Sequence, residues 1–198
     1  LNDAVDGVAL QFADGTDTVK VVGTDVQLAI DGFVEITGNM TFEKTGTSPD
    51  TKILVGVSNA TAFLGVDGMG VRVTDLELGV LILEAADGNS YALNGSGTVA
   101  LEGISDLTLS GTVDVQVNAT GVAVDETVQG VDIEFADGTA VQRISGSDVA
   151  LAVDGFVEVN GNFTFEKIGT SPDTVIRVSA TDVSAFLGAG SGTANAVG

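Results

Sequence analysis

The segment from Val157 to Glu166 reads VEVNGNFTFE, with an apolar residue or glycine at every odd position and a polar residue at every even one. Strict alternation of this kind is typical of a β-strand with one buried face, because successive side chains point to opposite sides. The pair Asn160-Gly161 also fits a two-residue hairpin turn. Such a turn would place Glu158 opposite Phe163 and mix the two faces, so the pattern favours one continuous strand with a glycine on its apolar face.

A near-copy of this stretch lies 123 residues earlier, since VEITGNMTFEKTGTSPDT at residues 34–51 corresponds to VEVNGNFTFEKIGTSPDT at 157–174. The offset holds without a gap from Phe12/Phe135 to Gly65/Gly188. We therefore predict a first full repeat period at residues 1–123, a partial second repeat at 124–188, and a tail rich in Gly, Ser and Ala at 189–198. The chain of 198 residues is expected to start and stop in mid-array.

Residues 91–101 and 107–117 show the same alternation with glycines on the apolar face, and short Asp-Gly turns separate such segments. Glycine inside a strand marks a bend or the close approach of another backbone. Short turns favour antiparallel neighbours. The prediction is an all-β fold, a repetitive, long-stranded antiparallel meander of seven or eight strands per period, curled into a sandwich or half-pipe. A parallel β-solenoid is the alternative.

The segment from Leu76 to Leu83 departs from this pattern because it is apolar at both odd and even positions. A strand with two apolar faces is expected to be covered on both sides. We predict that a second sheet layer or the next repeat covers it.

The composition excludes several kinds of function. The chain has no His and no Cys, so it lacks the ligands of zinc and haem sites and the parts of a Ser-His-Asp triad. Seven Lys and Arg against 28 Asp and Glu give a net charge of −21, which repels nucleic acid and anionic membrane surfaces. No apolar stretch reaches the roughly 20 residues of a membrane-spanning helix. We expect a protein that is not an enzyme.

The acidic residues predict one candidate cofactor, calcium. Ca²⁺ takes six to eight oxygen ligands, which Asp in glycine-containing loops can supply. Asp14 and Asp17 in the sequence FADGTD form the best local cluster, and Asp137 is the counterpart of Asp14. The second copy has Ala140 in place of Asp17, and no run matches an EF-hand. Asp in such turns also serves solubility alone.

A chain cut in mid-period leaves strands at both ends with open edges, which can add to a neighbour's sheet. The expected partner is therefore the protein itself, in a head-to-tail polymer or as tandem repeats. Divalent cations and glycans are further possible partners. The residues predicted at the assembly ends are Val8, Leu10, Phe12, Ile176, Val178 and Phe186.

The segments SATDVSAFLG, GVRVTDLELGVLI, YALNGSGTVALEGISDLTLSGTVDVQVNATG and VDGFVEVNGNFTFEK resemble repeats of giant acidic extracellular bacterial surface proteins of the adhesin type. The resemblance covers nearly the whole chain. It implies a bacterial, extracellular or cell-surface location and a role in adhesion or matrix. The strands with internal glycines are also similar to the β-groove repeats of the AsmA/TamB group, which implies lipid transport along an open apolar trough.

These observations lead to a first hypothesis, a structural repeat unit of an extracellular filament, stalk or adhesin that assembles end to end through β-sheet contacts. The alternatives are a calcium- or glycan-binding adhesion module and a conduit for an apolar ligand such as a lipid.

Overall fold

The computed structural model describes residues 2–5, 8–11, 17–30 and 33–188, of which the first two ranges are described by their backbone alone. Strands make up most of these residues. They are β1 (Asn2–Val5), β2 (Val8–Gln11), β3 (Thr18–Ile30), β4 (Val34–Thr47), β5 (Asp50–Val66), β6 (Met69–Ala85), β7 (Gly88–Glu102), β8 (Leu107–Asn118), β9 (Val124–Val128), β10 (Val131–Phe135), β11 (Val141–Val153), β12 (Val157–Ile168) and β13 (Val175–Leu187).

Nine of the strands form one antiparallel sheet in the order β13-β12-β11-β8-β7-β6-β5-β4-β3. The other four form two hairpins, β1–β2 and β9–β10. The sheet does not close on itself, so β3 and β13 are its two edges. The prediction of an all-β antiparallel meander is confirmed. The parallel solenoid is not the fold, because every strand pair in the described ranges is antiparallel.

The strands follow the sequence offset of 123. Strand β3 begins and ends 123 residues before β11, and β12 and β13 fall within the segments that correspond to β4 and β5. The hairpin β9–β10 corresponds in the same way to β1–β2. The first period therefore contributes one hairpin and six sheet strands, β3 to β8, before the second period begins.

The two faces of the sheet differ in chemistry. One face, called here the apolar face, carries Val34, Ile36, Gly38, Met40 and Phe42 of β4 and the residues in register with them. Phe42, for example, lies opposite Val55, Val55 opposite Val80, and Val80 opposite Leu93. The opposite face of the central strands carries Leu54, Leu81 and Ala92 and lies beneath the hairpin β9–β10; it is called the covered face.

A line of β-bulges crosses the sheet and bends it. Bulges interrupt the register at Gly23/Val26, Val57/Ala60, Thr74/Glu77 and Gly146/Val149. Glycines of the apolar face lie beside this line: a Cβ on Gly38 would stand 2.4 Å from the Cβ of Ala60, and one on Gly97 would stand 2.6 Å from Val73 Cγ1. On this face the strands therefore approach one another closely along the line of bulges.

Asp residues at several bulges have a positive φ, which Asp and Asn tolerate better than most residues. Asp25 and Asp148 are repeat counterparts and share a φ of 52°. The side-chain oxygen of Asn39 accepts a hydrogen bond from the backbone N–H of Asp25, and Asn162 does the same for Asp148. Some of the Asp residues that occur in both copies therefore shape the backbone at a bulge.

Candidate functional site

The joint between the two repeats shows how one copy is connected to the next. Strand β11, the first sheet strand of the second copy, pairs with β8 from Val141 opposite Asn118 to Val153 opposite Leu107. This pairing extends along the whole of β11, as does the pairing of β11 with β12 inside the second copy. The sheet therefore passes from one repeat to the next through paired strands, with one register shift between Ser147 and Ala150.

The hairpin β9–β10 lies between β8 and β11 in the chain but folds out of the sheet. Its turn is Gln129-Gly130, and both residues have a positive φ, 54° and 82°. A two-residue turn of this conformation matches the twist of the strands that it joins. The hairpin, called here the covering hairpin (Val124–Phe135), packs on β5, β6 and β7 of the first copy.

The contact between the covering hairpin and the sheet is the apolar core of the described residues. Val124, Val128 and Ile133 of the hairpin are buried together with Leu54, Leu81 and Ala92 of the sheet. Ile133 and Ala92 have no exposed surface. Burying a side chain the size of isoleucine stabilises a fold by about 1.5–3 kcal/mol. The hairpin of the second copy is thus held mainly by the first.

Two glycines of the covered face give the hairpin room. A Cβ on Gly56 would lie 2.6 Å from Gln129 Cβ and 2.8 Å from Val128 Cγ2, and a Cβ on Gly79 would lie 2.9 Å from Ile133 Cγ1. Real Cβ atoms do not approach so closely, so any larger residue at these positions would lift the hairpin.

Polar contacts surround this core. Lys52 Nζ forms an ion pair with Glu126 at 3.0 Å, Asn94 Nδ2 donates to the backbone oxygen of Asp132 at 2.9 Å, and the Thr41 hydroxyl donates to Gln129 Oε1. At the start of the hairpin loop, the buried Asn118 side chain donates to the backbone oxygens of Val122 and Asp137. These hydrogen bonds set the path by which the chain leaves the sheet and returns to it.

The second copy lacks this arrangement at the equivalent positions. Leu54, Gly56 and Lys52 correspond to Arg177, Ser179 and Val175. Instead of an apolar core, a polar ladder crosses four strands: Arg143 donates to Gln116 and Glu166, and Arg177 donates to Glu166 at 3.2 Å. The hydrogen bond from Arg143 lowers the pKa of Glu166, and the bond from Arg177 acts in the same direction.

The apolar face of the sheet has no covering layer among the described residues. Many of its large side chains are exposed, including Val21, Ile144, Phe165 and Val178. A concave region of about 310 Å³ lies on this face where β6, β7 and β8 meet. Its lining includes Val73, Leu78, Leu93, Val99, Val113 and Val115.

Of the three residues predicted to bind calcium, the structure describes Asp17 and Asp137. Asp137 Oδ1 accepts a hydrogen bond from the N–H of Thr139 at 2.8 Å, and hydrogen bonds from the side chain and backbone of Thr139 lower the pKa of Asp137. The backbone oxygen of Asp17 accepts from the N–H of Gly46. Asp14 lies outside the described residues. Within the described ranges, no group of three acidic side chains is close enough to hold a metal ion.

The predicted assembly residues fall into two groups. Ile176 and Val178 are exposed on the edge strand β13, and Phe186 near its end is half-buried. Val8 and Leu10 lie on β2, whose side chains are not described, and Phe12 lies outside the described residues.

The covering hairpin was not predicted from the sequence, although the chain carries a signal for it. Val128-Gln129-Gly130-Val131 places a two-residue turn with glycine between alternating apolar residues, and Val5-Asp6-Gly7-Val8 is its counterpart in the first copy. The expectation for Leu76–Leu83 is correct on one side: Leu81 is buried under this hairpin, whereas Leu78 lines the open apolar face.

Comparisons with protein-family models, with curated proteins and with solved structures gave no match. Among the described residues there is also no helix of the length and apolarity needed to cross a membrane.

Proposed function

We propose that this protein is a structural repeat unit of an extracellular bacterial filament, stalk or adhesin, in which each period lengthens one open β-sheet. The observation that carries the proposal is the joint between the repeats, where β11 continues the sheet from β8 and the covering hairpin folds back over the preceding copy. A joint of this kind links successive units without a flexible linker.

Three further properties support the same proposal. Strand pairing joins β8 to β11 within the sheet, and the covering hairpin packs on the covered face of the preceding copy. Bending the joint would therefore break backbone hydrogen bonds and expose the apolar core. The charge of −21 favours solubility of a long, sheet-rich molecule. The resemblance to repeats of acidic surface proteins supports the extracellular location.

The proposal predicts a fixed increment of length. Strands in a sheet are spaced by about 4.7–4.9 Å, so six strands per period add about 29 Å along the sheet. Small-angle X-ray scattering should compare the chain with a version in which one copy of residues 66–188 is inserted after Gly188, which keeps the repeat register because Gly188 corresponds to Gly65. The maximum dimension should increase by about this amount, with a profile typical of a rigid particle. A second particle that moves independently of the first would contradict the proposal.

A conduit for apolar ligands is the second candidate, and the open apolar face favours it. A trough lined by valine and leucine offers an acyl chain a surface without charged groups at its centre. Titration with a fluorescent fatty acid tests this candidate. Binding should weaken at least tenfold in Leu78→Asp, which places a charge in the trough, and should persist in Glu77→Gln, which changes an exposed neighbouring residue. Absence of saturable binding would remove the candidate.

A further inference from the structure

We propose that the open edge of β13 is a binding site for one kind of strand, a strand with the sequence pattern of β6 (Met69–Ala85), which it takes in a defined register. This inference rests on the proposed function and names the partner that the edge selects. It is based on a comparison of β5 and β13, which are repeat counterparts but differ in their neighbouring strands.

Strand β5 has a neighbour on each side, whereas β13 has one among the strands that the structure describes. In the first copy β5 pairs with β4 and, from Thr51 opposite Glu84 to Val66 opposite Met69, with β6. In the second copy β13 pairs with β12, and no described strand occupies its other side. The backbone groups of β13 on that side are therefore available to a further strand.

Several side chains of β13 are exposed at positions that a further strand would cover. Ala60 and Ala62 of β5 are buried, but their counterparts Val183 and Ala185 are exposed. Ile176, Val178 and Leu187 have relative exposures of 73%, 63% and 69%. These three residues project on the apolar face, in line with the valines and leucines of the rest of the sheet.

The contact between β5 and β6 gives the register at β13. Leu64 lies opposite Val71, Ala62 opposite Val73, and Val55 opposite Val80. Moved by 123 residues, these pairs place Leu187 opposite Val71, Ala185 opposite Val73, and Val178 opposite Val80. Each predicted pair joins two apolar residues on the same face.

One pair on the other face adds a specific contact. In the first copy the guanidinium of Arg72 stands 5.3 Å from the centre of the Phe63 ring. Phe63 corresponds to Phe186, so an incoming β6 strand would place its arginine over the Phe186 ring. Cation–π contacts of this kind contribute about 0.5–1 kcal/mol at exposed sites.

The backbone of β13 points the required donors outwards. Gly188 donates its N–H to the backbone oxygen of Phe156, at the β12 side. Because N–H groups alternate in direction along a strand, those of Leu187 and Ala185 face the open edge. They match the direction of the β5 donors that serve β6, since Gly65 likewise donates to Phe33.

A second copy joined through its own edge strand β3 fits less well. The sheet has nine strands in alternating directions, so β3 and β13 run the same way. Two copies joined head to tail in one orientation would pair these strands in parallel, whereas every described pair is antiparallel. The counterpart of β3 in the second copy, β11, is moreover paired with β8, not with a β13-type strand.

Disulfide trapping tests the register, because the chain has no cysteine of its own. Two full-chain variants, Ala185→Cys and Val178→Cys, are each incubated with synthetic peptides of residues 69–85 that carry Val73→Cys or Val80→Cys. We expect cross-linking of Ala185→Cys with the Val73→Cys peptide and of Val178→Cys with the Val80→Cys peptide, at least tenfold above the two exchanged combinations. Equal yields in all four combinations, or no cross-link, would overturn the proposal.

A non-covalent measurement gives an independent readout. Ala185→Pro removes a donor from the open edge, so the unmodified peptide should bind at least tenfold more weakly than to Ala185→Ser, which keeps the N–H. Far-ultraviolet circular dichroism should be the same for both variants. Equal peptide affinity for two folded variants would contradict the assignment of the edge, and if Ala185→Pro misfolds, the trapping experiment decides.

The outcomes separate this inference from the proposed function. A chain that forms dimers through β13 and takes up no peptide would overturn the inference. The increase of about 29 Å per added period is measured on the covalently extended chain, so that result does not depend on whether the peptide binds.

Discussion

Strands β5 and β13 are two versions of one repeat segment, and both contain the sequence Ala-Phe-Leu, at residues 62–64 and 185–187. In the first copy the strand lies between two neighbours and beneath the covering hairpin, and Leu54, Ala60 and Ala62 are buried. In the second copy nearly every residue of the strand is exposed. The comparison shows that burial at these positions is set by the neighbouring elements.

The residues that differ between the two strands include those beneath the hairpin. Leu54 is part of the apolar core, and its counterpart Arg177 forms an ion pair with Glu166. Gly56 leaves space for Val128, and its counterpart Ser179 has a Cβ where that space would be. In the second copy, the corresponding face of the sheet therefore carries side chains suited to contact with water. Exchanging these residues between the two copies tests this interpretation.

The largest effect is expected from exchanging Leu54 and Arg177. Leu54→Arg places a charge without a partner under the hairpin, and an uncompensated buried charge costs about 3–5 kcal/mol. Arg177→Leu removes the more exposed of the two arginines that pair with the buried Glu166, and Arg143 remains in place, so its cost should be smaller than that of Leu54→Arg. Urea unfolding of both variants measures the difference. Similar costs for the two exchanges would show that the hairpin does not desolvate the Leu54 position.

A smaller effect is expected from the glycine beneath the hairpin. Gly56→Ser adds a Cβ and a hydroxyl where Gln129 and Val128 already lie within contact distance, and overpacking of a well-packed core costs about 1–3 kcal/mol. The matched change Ser179→Gly alters an exposed strand residue and should cost less than about 1 kcal/mol.

Hydrogen exchange locates the effect of Gly56→Ser. Amide protection should fall in the covering hairpin, residues 124–135, and stay unchanged in β11 and β12. A loss of protection spread evenly over the sheet would contradict the view that Gly56 serves the hairpin.

The smallest effect concerns pH and the polar ladder of the second copy. Arg143 and Arg177 hold the pKa of Glu166 below its ordinary value, so the unfolded chain binds this proton more readily than the folded one. The resulting stabilisation is complete above the ordinary carboxyl pKa of about 4.3 and is lost as the pH falls through the lower pKa of the folded state. Between pH 6 and 3, the stability of Glu166→Gln should therefore decrease less steeply than that of the unmodified protein.

A second variant provides the control for this pH dependence. Arg177→Gln removes one of the two arginines that bind Glu166 and leaves the hydrogen bond from Arg143 in place. Its stability should decrease between pH 6 and 3 less steeply than that of the unmodified protein and more steeply than that of Glu166→Gln. An unchanged slope for Arg177→Gln would show that the second arginine adds nothing to the ladder.

The sequence was sufficient to predict the strands and their faces where alternation is strict. Val157–Glu166 lies within one strand, β12, and Val157, Val159, Gly161, Phe163 and Phe165 share the apolar face. The repeat offset further predicted that β3 and β11 would match, because local pattern and turn residues are the same in both copies.

The joint could not be predicted in this way because it depends on long-range contacts. Nothing local indicates that Ile133 packs against Gly79 and Leu81, more than 50 residues away. Alternation alone does not distinguish a strand that enters the sheet from a hairpin that lies upon it. Likewise, the positive φ of Asp148 belongs to a bulge between β11 and β12, and the alternation of the sequence does not indicate where such a bulge occurs.

The number of sheet strands in the first period, six, is even, and this has a consequence for any longer array. Each new period starts with a strand that points the same way as the first strand of the period before, as β11 does after β3. Equivalent loops then emerge at the same rim throughout. Turns of the Ser-Pro-Asp type, at Ser48 and Ser171, would line one rim together with the Asp87-Gly88 turn, and the turns at Asp67-Gly68 and Asp154-Gly155 would line the other. An odd number would alternate them, so the even count gives such an assembly two chemically distinct borders along its length.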